Sequence, residues 1–268
     1  MIHKTAIIDV AAELGKDVSV APFAYIEGNV RIGDNCVIGP HASVLRYTTL
    51  GEKCIVHAGA VLGDLPQDLA FSGCDSFVKI GANCVIREGV TVHRGTKPGT
   101  TTEIGDNCFL MGFSHFAHNV KLGKNVIVVN GALLAGYVEV GDRAFISGNV
   151  VVHQFVRIGR LAMLGGGCGV SKDVPPFCTV SPLAVNTVLG LNIVGMRRAG
   201  LTPEQRMEVK RAFKILYGSG LNTREAVQEI ADTMKSELAR EFVSFVQSSK
   251  RGICARGGNV SDDETEKL

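Results

Sequence analysis

An aliphatic residue at every sixth position constrains this chain more than any other feature. Starting at Ile2, a step of six meets Ile8, Leu14, Val20, Ile26, Ile32, Ile38, Val44, Leu50, Val56 and Leu62 without a miss. The beat returns at Ile80, Ile86, Val92, Ile104 and Leu110, takes Phe116 as its only aromatic, and runs on from Leu122 to Val170. Only Asp68, Cys74 and Pro98 break the register. A period of six is neither helical nor a simple alternation, so it calls for a repeat architecture.

The residue two before each beat is small or β-branched, as at Ala6, Ala24, Cys36, Ala42, Cys54 and Ala60. The residue three after it is rich in Asn and Gly, as at Asn29, Asn35, Gly59, Asn83, Asn107 and Asn119. These types tolerate positive φ, so each unit reads as a short strand ending in a sharp corner. Three units make a triangular coil, and successive coils stack as parallel strands about 4.8 Å apart, each touching only its neighbours. A composition with 32 Gly, no Trp and 6% aromatics suits an interior of aliphatic and small residues. Five of the eight cysteines (Cys36, Cys54, Cys84, Cys108, Cys168) fall in the small inward slot, and no C-x-x-C pair occurs. They read as reduced core thiols rather than disulfides or zinc ligands.

Residues 63–79 and 94–103 leave the beat, hold Pro, Gly, Ser and Thr, and read as loops thrown out of the coil. Loops on a rigid scaffold commonly carry function. The stretch V-P-P-F-C-T-V-S-P (174–182) brings three prolines that end the coil. Residues 1–185 are therefore assigned to a parallel β-helix and 186–254 to a helical domain, with helices expected near 187–199, 203–218, 223–235 and 237–250. Thr202-Pro203 with Gln205 has the form of an N-cap and first turn, and Gly218 and Gly220 that of a stop. Residues 255–268, polar and mostly acidic, are expected to form a disordered tail.

A net charge of +2 gives no concentrated basic face for nucleic acid. The N-terminus lacks the pattern of a signal peptide, and no apolar run is long enough for an integral membrane segment, so a soluble cytoplasmic protein is expected.

Residues eighteen apart lie above one another in such a coil, so His118, Gly136 and Gln154 form one column, with Tyr137 and His153 one residue to the side. A bare scaffold has no need of matched polar groups on three successive coils, which makes this column the candidate site. His57 and His93 each follow a beat residue, which points them outward as solvated side chains on one face, and His3 and His41 read as surface residues. A zinc-dependent β-helix hydratase is the metal alternative. Against it, His115 and His118 are only three residues apart, and the column offers Tyr137 in place of another imidazole.

At these residues a family resemblance becomes specific. F-S-H-F-A-H-N (113–119), A-L-L-A-G-Y-V (132–138), V-V-H-Q-F (151–155), V-S-K-D-V-P-P-F (170–177) and L-N-I-V-G-M-R-R (191–198) stand in an order and spacing that resembles the UDP-N-acetylglucosamine 3-O-acyltransferases, hexapeptide-repeat enzymes that begin lipid A synthesis. I-R-E-G-V-T-V-H-R-G (86–95) and K-R-G-I-C (250–254) agree with it. The resemblance implies a left-handed coil and a homotrimer with active sites in clefts between neighbouring β-helices. It implies transfer of an (R)-3-hydroxyacyl chain to the 3-position of UDP-N-acetylglucosamine, with the acyl carrier protein thioester as co-substrate and no other cofactor.

The same resemblance puts His118 at the general base and Gly136 at an oxyanion-binding N–H. It puts Asp68, His115, His153, Gln154, Asn192 and Arg198 at substrate-binding positions, Arg198 being suited to a phosphate. Gly166 falls where acyl length is measured, and a glycine there leaves room for a longer chain. Imidazole, with a free pKa of about 6.5, suits proton abstraction near neutral pH, and an oxyanion donor is worth roughly 3 kcal/mol of barrier. The chain departs from the family pattern at Asn119 (Asp), Ala70 (Lys), Tyr137 (His), Val194 (Glu) and Ala199 (Arg). These departures leave open a different nucleotide sugar, such as a 3-amino analogue that would be N-acylated. A non-catalytic scaffold or carrier-binding module is the remaining alternative.

Overall fold

The computed structural model describes residues 1–257. The beat residues point inward: Ile26, Ile38, Leu62, Leu110, Leu134 and Ile146 are all fully buried. Each belongs to a strand only two to four residues long, because the corner that follows takes the chain into a different sheet. Three sheets result, of nine, eight and eleven strands, parallel throughout except where the third is extended beyond the coil. Register partners are eighteen positions apart, as in His115 with Leu133 and Leu133 with Val151. The fold is a left-handed parallel β-helix followed by helices.

The corners do what the sequence requires of them. Asn29, Asn35, Asn83, Asn107, Asn125 and Asn149 hold φ between 55° and 59°, and the Asn35 N–H donates to the Lys16 carbonyl of the coil before at 2.8 Å. Phe23, Tyr47, Phe113, Tyr137, Phe155 and Leu161 take the same conformation, with φ between 57° and 68°. For such side chains it costs about 1–2 kcal/mol. Inside, Cys36, Cys54, Cys84 and Cys108 form a file whose thiols donate to the carbonyls of Gly51, Gly81, Gly105 and Gly123 at 3.1–3.2 Å. All eight cysteines are free.

The two excursions are narrower than the sequence suggests, because strands Val61–Asp64 and Phe77–Ile80 run into the first and Thr101–Ile104 into the second. Partners Val56 and Ile86 are thirty positions apart, and Ile86 and Leu110 twenty-four, instead of eighteen. Loops of this length preserve the beat of six but change the sheet on which a given position falls. His57 follows a strand of the third sheet, Ile55–Val56, whereas His93 ends a strand of the first, Thr91–His93. The two therefore do not share a face, and His93, expected in solvent, is buried against His115.

The outward residues of the sheets differ. On the second sheet the register runs Glu13, Arg31, Thr49, Lys79, Glu103, Lys121, Glu139, Arg157. The first presents Ile7, Tyr25, Leu133 and Val151, and the third Val37 and Ile55, all exposed.

After the coil, strand Cys178–Val180 pairs antiparallel with Thr187–Leu191, where the sequence reading expects a helix. Burial alternates along this segment with Val188 and Gly190 inward, a period of two that a short apolar run conceals. Helix α1 (Ile193–Arg198) starts only after Asn192, whose side chain caps it. Helices α2 (Pro203–Gly218), α3 (Thr223–Thr233) and α4 (Glu237–Gln247) follow. Thr202 and Gln205 make a full capping box for α2. The helices are pinned to the last coils by the Arg160 fork on Glu241 at 2.7–3.2 Å and by Phe177 against Phe242. Of the expected tail, Ala255–Arg256 forms a strand beside Thr187 and Val188, and 258–268 lies outside the described residues. Among the described residues no helix is long and apolar enough to cross a membrane.

Candidate active site

Both loops leave the coil at the edge where the first sheet passes to the second, and His118 lies on that edge. Strand His115–Phe116 buries Phe116 and faces His115 outward, and the chain then turns through His118 to the corner at Asn119, φ 61°. His118 is 9% exposed, and its Nδ1 lies 3.1 Å from Asn119 Oδ1. That oxygen also accepts from the Thr96 N–H and hydroxyl, both at 3.1 Å. A backbone N–H can only donate, so the amide is oriented with its oxygen towards the imidazole. The Nδ1 of a neutral His118 therefore carries the proton, and Nε2 keeps its lone pair. Nε2 faces the Asp68 carboxylate of the first loop, with Oδ2 at 3.8 Å. The Asn119 N–H donates to Thr102 Oγ1 at 2.7 Å, tying the corner to the coil below.

The coil above closes the other side. Tyr137 meets the His118 ring edge-on at 5.3 Å, places its hydroxyl 3.0 Å from Thr96 Oγ1, and stacks on Phe155 at 4.8 Å. Between them lies Gly136. A Cβ there would fall on the His118 ring, 2.6 Å from Nε2, so only glycine allows this approach. The Gly136 N–H takes no part in the ladder and has no partner among the described residues.

On the first-sheet side, His115 Nδ1 lies 2.7 Å from Thr91 Oγ1, and His93 packs edge-on against the His115 ring at 4.9 Å. Burial lowers the pKa of His115. Burial first, and then the His115 charge, pulls His93 down to about 4. Among the described residues the buried Nδ1 of His93 has no hydrogen-bond partner. His153 and Gln154 follow one coil beyond Gly136 and are exposed, the His153 Nδ1 lying 3.1 Å from the Gln154 carbonyl.

Asp68, His115, His118, Gly136, His153 and Gln154 thus share one edge. The remaining expected residues do not. Asn192 spends its amide inside the chain, donating to the Leu161 carbonyl and accepting from the Gly195 N–H, each at 2.8 Å. Arg198 is exposed in the last turn of α1, and among the described residues no hydrogen bond or ion pair joins either residue to the His118 group. Gly166 follows strand Met163–Leu164 of the third sheet, on another edge, where a Cβ would meet nothing nearer than 3.6 Å. Sequence reasoning missed Thr91, Thr96, Thr102 and the burial of His93 and Arg94. Thr96 and Thr102 come to Asn119 across 23 and 17 positions through the second loop, a spacing that no repeat rule reports. Among the described residues no three His, Cys, Asp or Glu side chains are grouped to hold a metal.

Comparison with known proteins places this geometry. Residues 173–254 match the family described as Udp N-acetylglucosamine O-acyltransferase, domain 2, and 11–46 and 101–136 match the bacterial transferase hexapeptide repeats. The acyl-[acyl-carrier-protein]–UDP-N-acetylglucosamine O-acyltransferase of Syntrophobacter fumaroxidans is 42% identical over 254 residues, covering 94% of this chain and 98% of its own. That of Thermodesulfovibrio yellowstonii is 43% identical over 260 residues, with the same coverage. The crystal structure of a UDP-N-acetylglucosamine acyltransferase from Bacteroides fragilis superposes with a TM-score of 0.91 at 40% identity, covering 94% of this chain and 99% of that one. Likeness of this degree across coil, loops and helical cap settles the lineage: the chain belongs to the UDP-N-acetylglucosamine O-acyltransferase family.

Proposed function

We propose that this chain transfers an (R)-3-hydroxyacyl group from acyl carrier protein to the 3-hydroxyl of UDP-N-acetylglucosamine, the first step of lipid A synthesis, with His118 as general base. The observation that carries the reading is the tautomer set by Asn119 and Thr96, which leaves the Nε2 lone pair facing Asp68 across a gap of 3.8 Å. In the reaction Nε2 takes the proton of the acceptor hydroxyl as its oxygen attacks the thioester carbonyl. The carbonyl oxygen becomes an oxyanion, which the unpartnered Gly136 N–H stabilises. Collapse breaks the C–S bond, and the imidazolium returns its proton to the leaving thiolate. Asn119 fixes the tautomer as a carboxylate would, but it adds no charge to stabilise the imidazolium.

Asp68 holds the sugar, and His115, His153 and Gln154 line the first-sheet side of the cleft. Asn192, Arg198 and Gly166 stand on other edges of the chain, so the site is completed by neighbouring copies in a homotrimer, with Arg198 on the nucleotide phosphates and Gly166 at the acyl terminus. The carrier protein docks on α2, where a cavity lined by Met207, Ile215 and Ser219 carries three basic residues, Lys210, Arg211 and Lys214, against one acidic residue, Glu208. Among other arginines near the coil, Arg87 is paired with Glu88, Arg94 is buried and Arg143 is exposed.

The test is transfer by the purified protein from a panel of 3-hydroxyacyl carrier proteins to UDP-N-acetylglucosamine and to its 3-amino analogue. The reading expects an ester product. Acylation of the amine alone would move the activity to another sugar, and no transfer to either acceptor would overturn it.

A further inference from the structure

Among the described residues, Arg94 is a cation buried without a counter-ion: it is 5% exposed, its Nε and Nη1 have no hydrogen-bond partner, and no carboxylate makes an ion pair with it. Its guanidinium lies over two aromatic rings instead, Tyr47 at 5.3 Å and Phe71 at 5.5 Å. Desolvated cation–π contacts of this kind are strong enough to hold a group in place.

The two rings belong to different parts of the molecule. Tyr47 is a corner of the coil itself, φ 68°, with its carbonyl accepting from the Val78 N–H at 3.1 Å. Phe71 belongs to the first loop. The return arm of that loop is tied to the second loop, with Ser76 Oγ donating to the Gly95 carbonyl at 2.6 Å and the Gly99 N–H to the Asp75 carbonyl at 2.9 Å. The outgoing arm has no such ties: among the described residues every hydrogen bond of residues 65–73 is internal to the loop. One of those internal bonds joins Phe71 to Asp68, and another joins the neighbouring Ala70 to it. The Phe71 N–H donates to the Asp68 carbonyl at 3.0 Å, and the Ala70 N–H to Asp68 Oδ1 at 2.9 Å. Whatever fixes the ring of Phe71 therefore fixes the carboxylate of Asp68, 3.8 Å from His118 Nε2.

We propose that Arg94, clamped between Tyr47 and Phe71, is a positioning residue that holds the Asp68 turn of the first loop against His118. The proposal rests on the acyltransferase reading for its kinetic consequence, but its structural consequence stands apart from it. The experiment pairs Arg94→Met and Phe71→Leu with Asp68→Ala in a double-mutant cycle, alongside hydrogen exchange of the loop amides. Phe71→Leu leaves Arg94 and the coil in place, so it reports even if Arg94→Met does not fold.

Either variant should speed exchange of the Ala70 and Phe71 amides without altering that of the coil strands. Each should raise KM for the sugar nucleotide and lower kcat/KM by roughly ten- to a hundredfold, with KM for the acyl carrier protein unchanged. In the Asp68→Ala background the same substitution should cost less than about twofold, since groups acting as one unit are not additive. Unchanged exchange overturns the clamp whatever the activity, and additive kinetic losses overturn the route through Asp68. A wild-type protein that transfers nothing would sink the acyltransferase reading and leave the exchange result to decide the clamp.

Discussion

The second sheet and the other two obey the same inward rule, yet their outer faces have little in common. Along the second sheet, both signs of charge are interspersed from Glu13 and Arg31 to Glu139 and Arg157, with pairs such as Arg31 and Glu13 at 3.0 Å. Along the first and third, the equivalent positions carry Ile7, Tyr25, Leu133 and Val151, or Val37 and Ile55, all exposed in the single chain. Core packing alone would leave the outward position free to vary equally on all three faces. The contrast fits the proposed trimer, in which one face would stay in water and two would be covered. The site lies on the seam between an apolar face and the charged one.

The seam gives the largest expected effect. His118→Ala should lower transfer by about a thousandfold while sedimentation still shows the wild-type assembly. A dissociated variant would make this residue a part of the interface instead. Gly136→Ala should cost roughly a hundredfold in kcat, because the added methyl group displaces the imidazole, again with assembly intact. Charging the two apolar faces together, Ile55→Lys with Leu133→Lys, should dissociate the protein and lower its activity by at least about tenfold, as read by sedimentation and assay of one sample. An intact, active double variant would break the comparison between faces.

Acid probes the same side of the seam. His93 is held at about 4 when folded, against 6.5 for the free side chain, and the pKa of His115 is shifted in the same direction. The unfolded chain therefore binds the proton first. The stabilisation is complete above pH 6.5 and is lost as the pH falls towards 4. The melting temperature should drop through that window, and His93→Asn should flatten the drop. The smallest effect belongs to the charged face, where Lys121→Ala should change stability by no more than about 0.5 kcal/mol in denaturant titration and leave assembly untouched.

The sequence carried the coil almost completely, because the beat is a local rule: inward Ile86, small Cys84 and the corner at Gly89 can each be read without knowledge of any other coil. It carried the His118, Gly136 and Gln154 column for the same reason, since eighteen positions are three beats. It could not carry what the loops bring in. Asp68 needed a family resemblance to be noticed, and Thr96, Phe71 and the burial of His93 and Arg94 depend on where an irregular segment folds back. The strand Thr187–Leu191 was hidden by a different ambiguity, five residues whose apolar run fits helix and strand alike. Asn119 was legible as a corner residue, but that its oxygen faces the imidazole depends on Thr96.

The corners invite one more consideration. Asparagine or glycine would fit every left-handed corner with less strain, yet the column that bears the site holds Tyr47, Tyr137 and Phe155. Tyr47 braces Arg94, Tyr137 covers His118, and Phe155 backs Tyr137. A corner residue cannot swing, because its backbone is locked by the coils above and below, so an aromatic ring mounted there keeps its bearing as a bracket does. The coil accepts strain at this edge as it does at Phe23, Phe113 and Leu161, and a version hardened with asparagine at Tyr47 and Tyr137 would be a sturdier prism without the rings that brace Arg94 and cover His118.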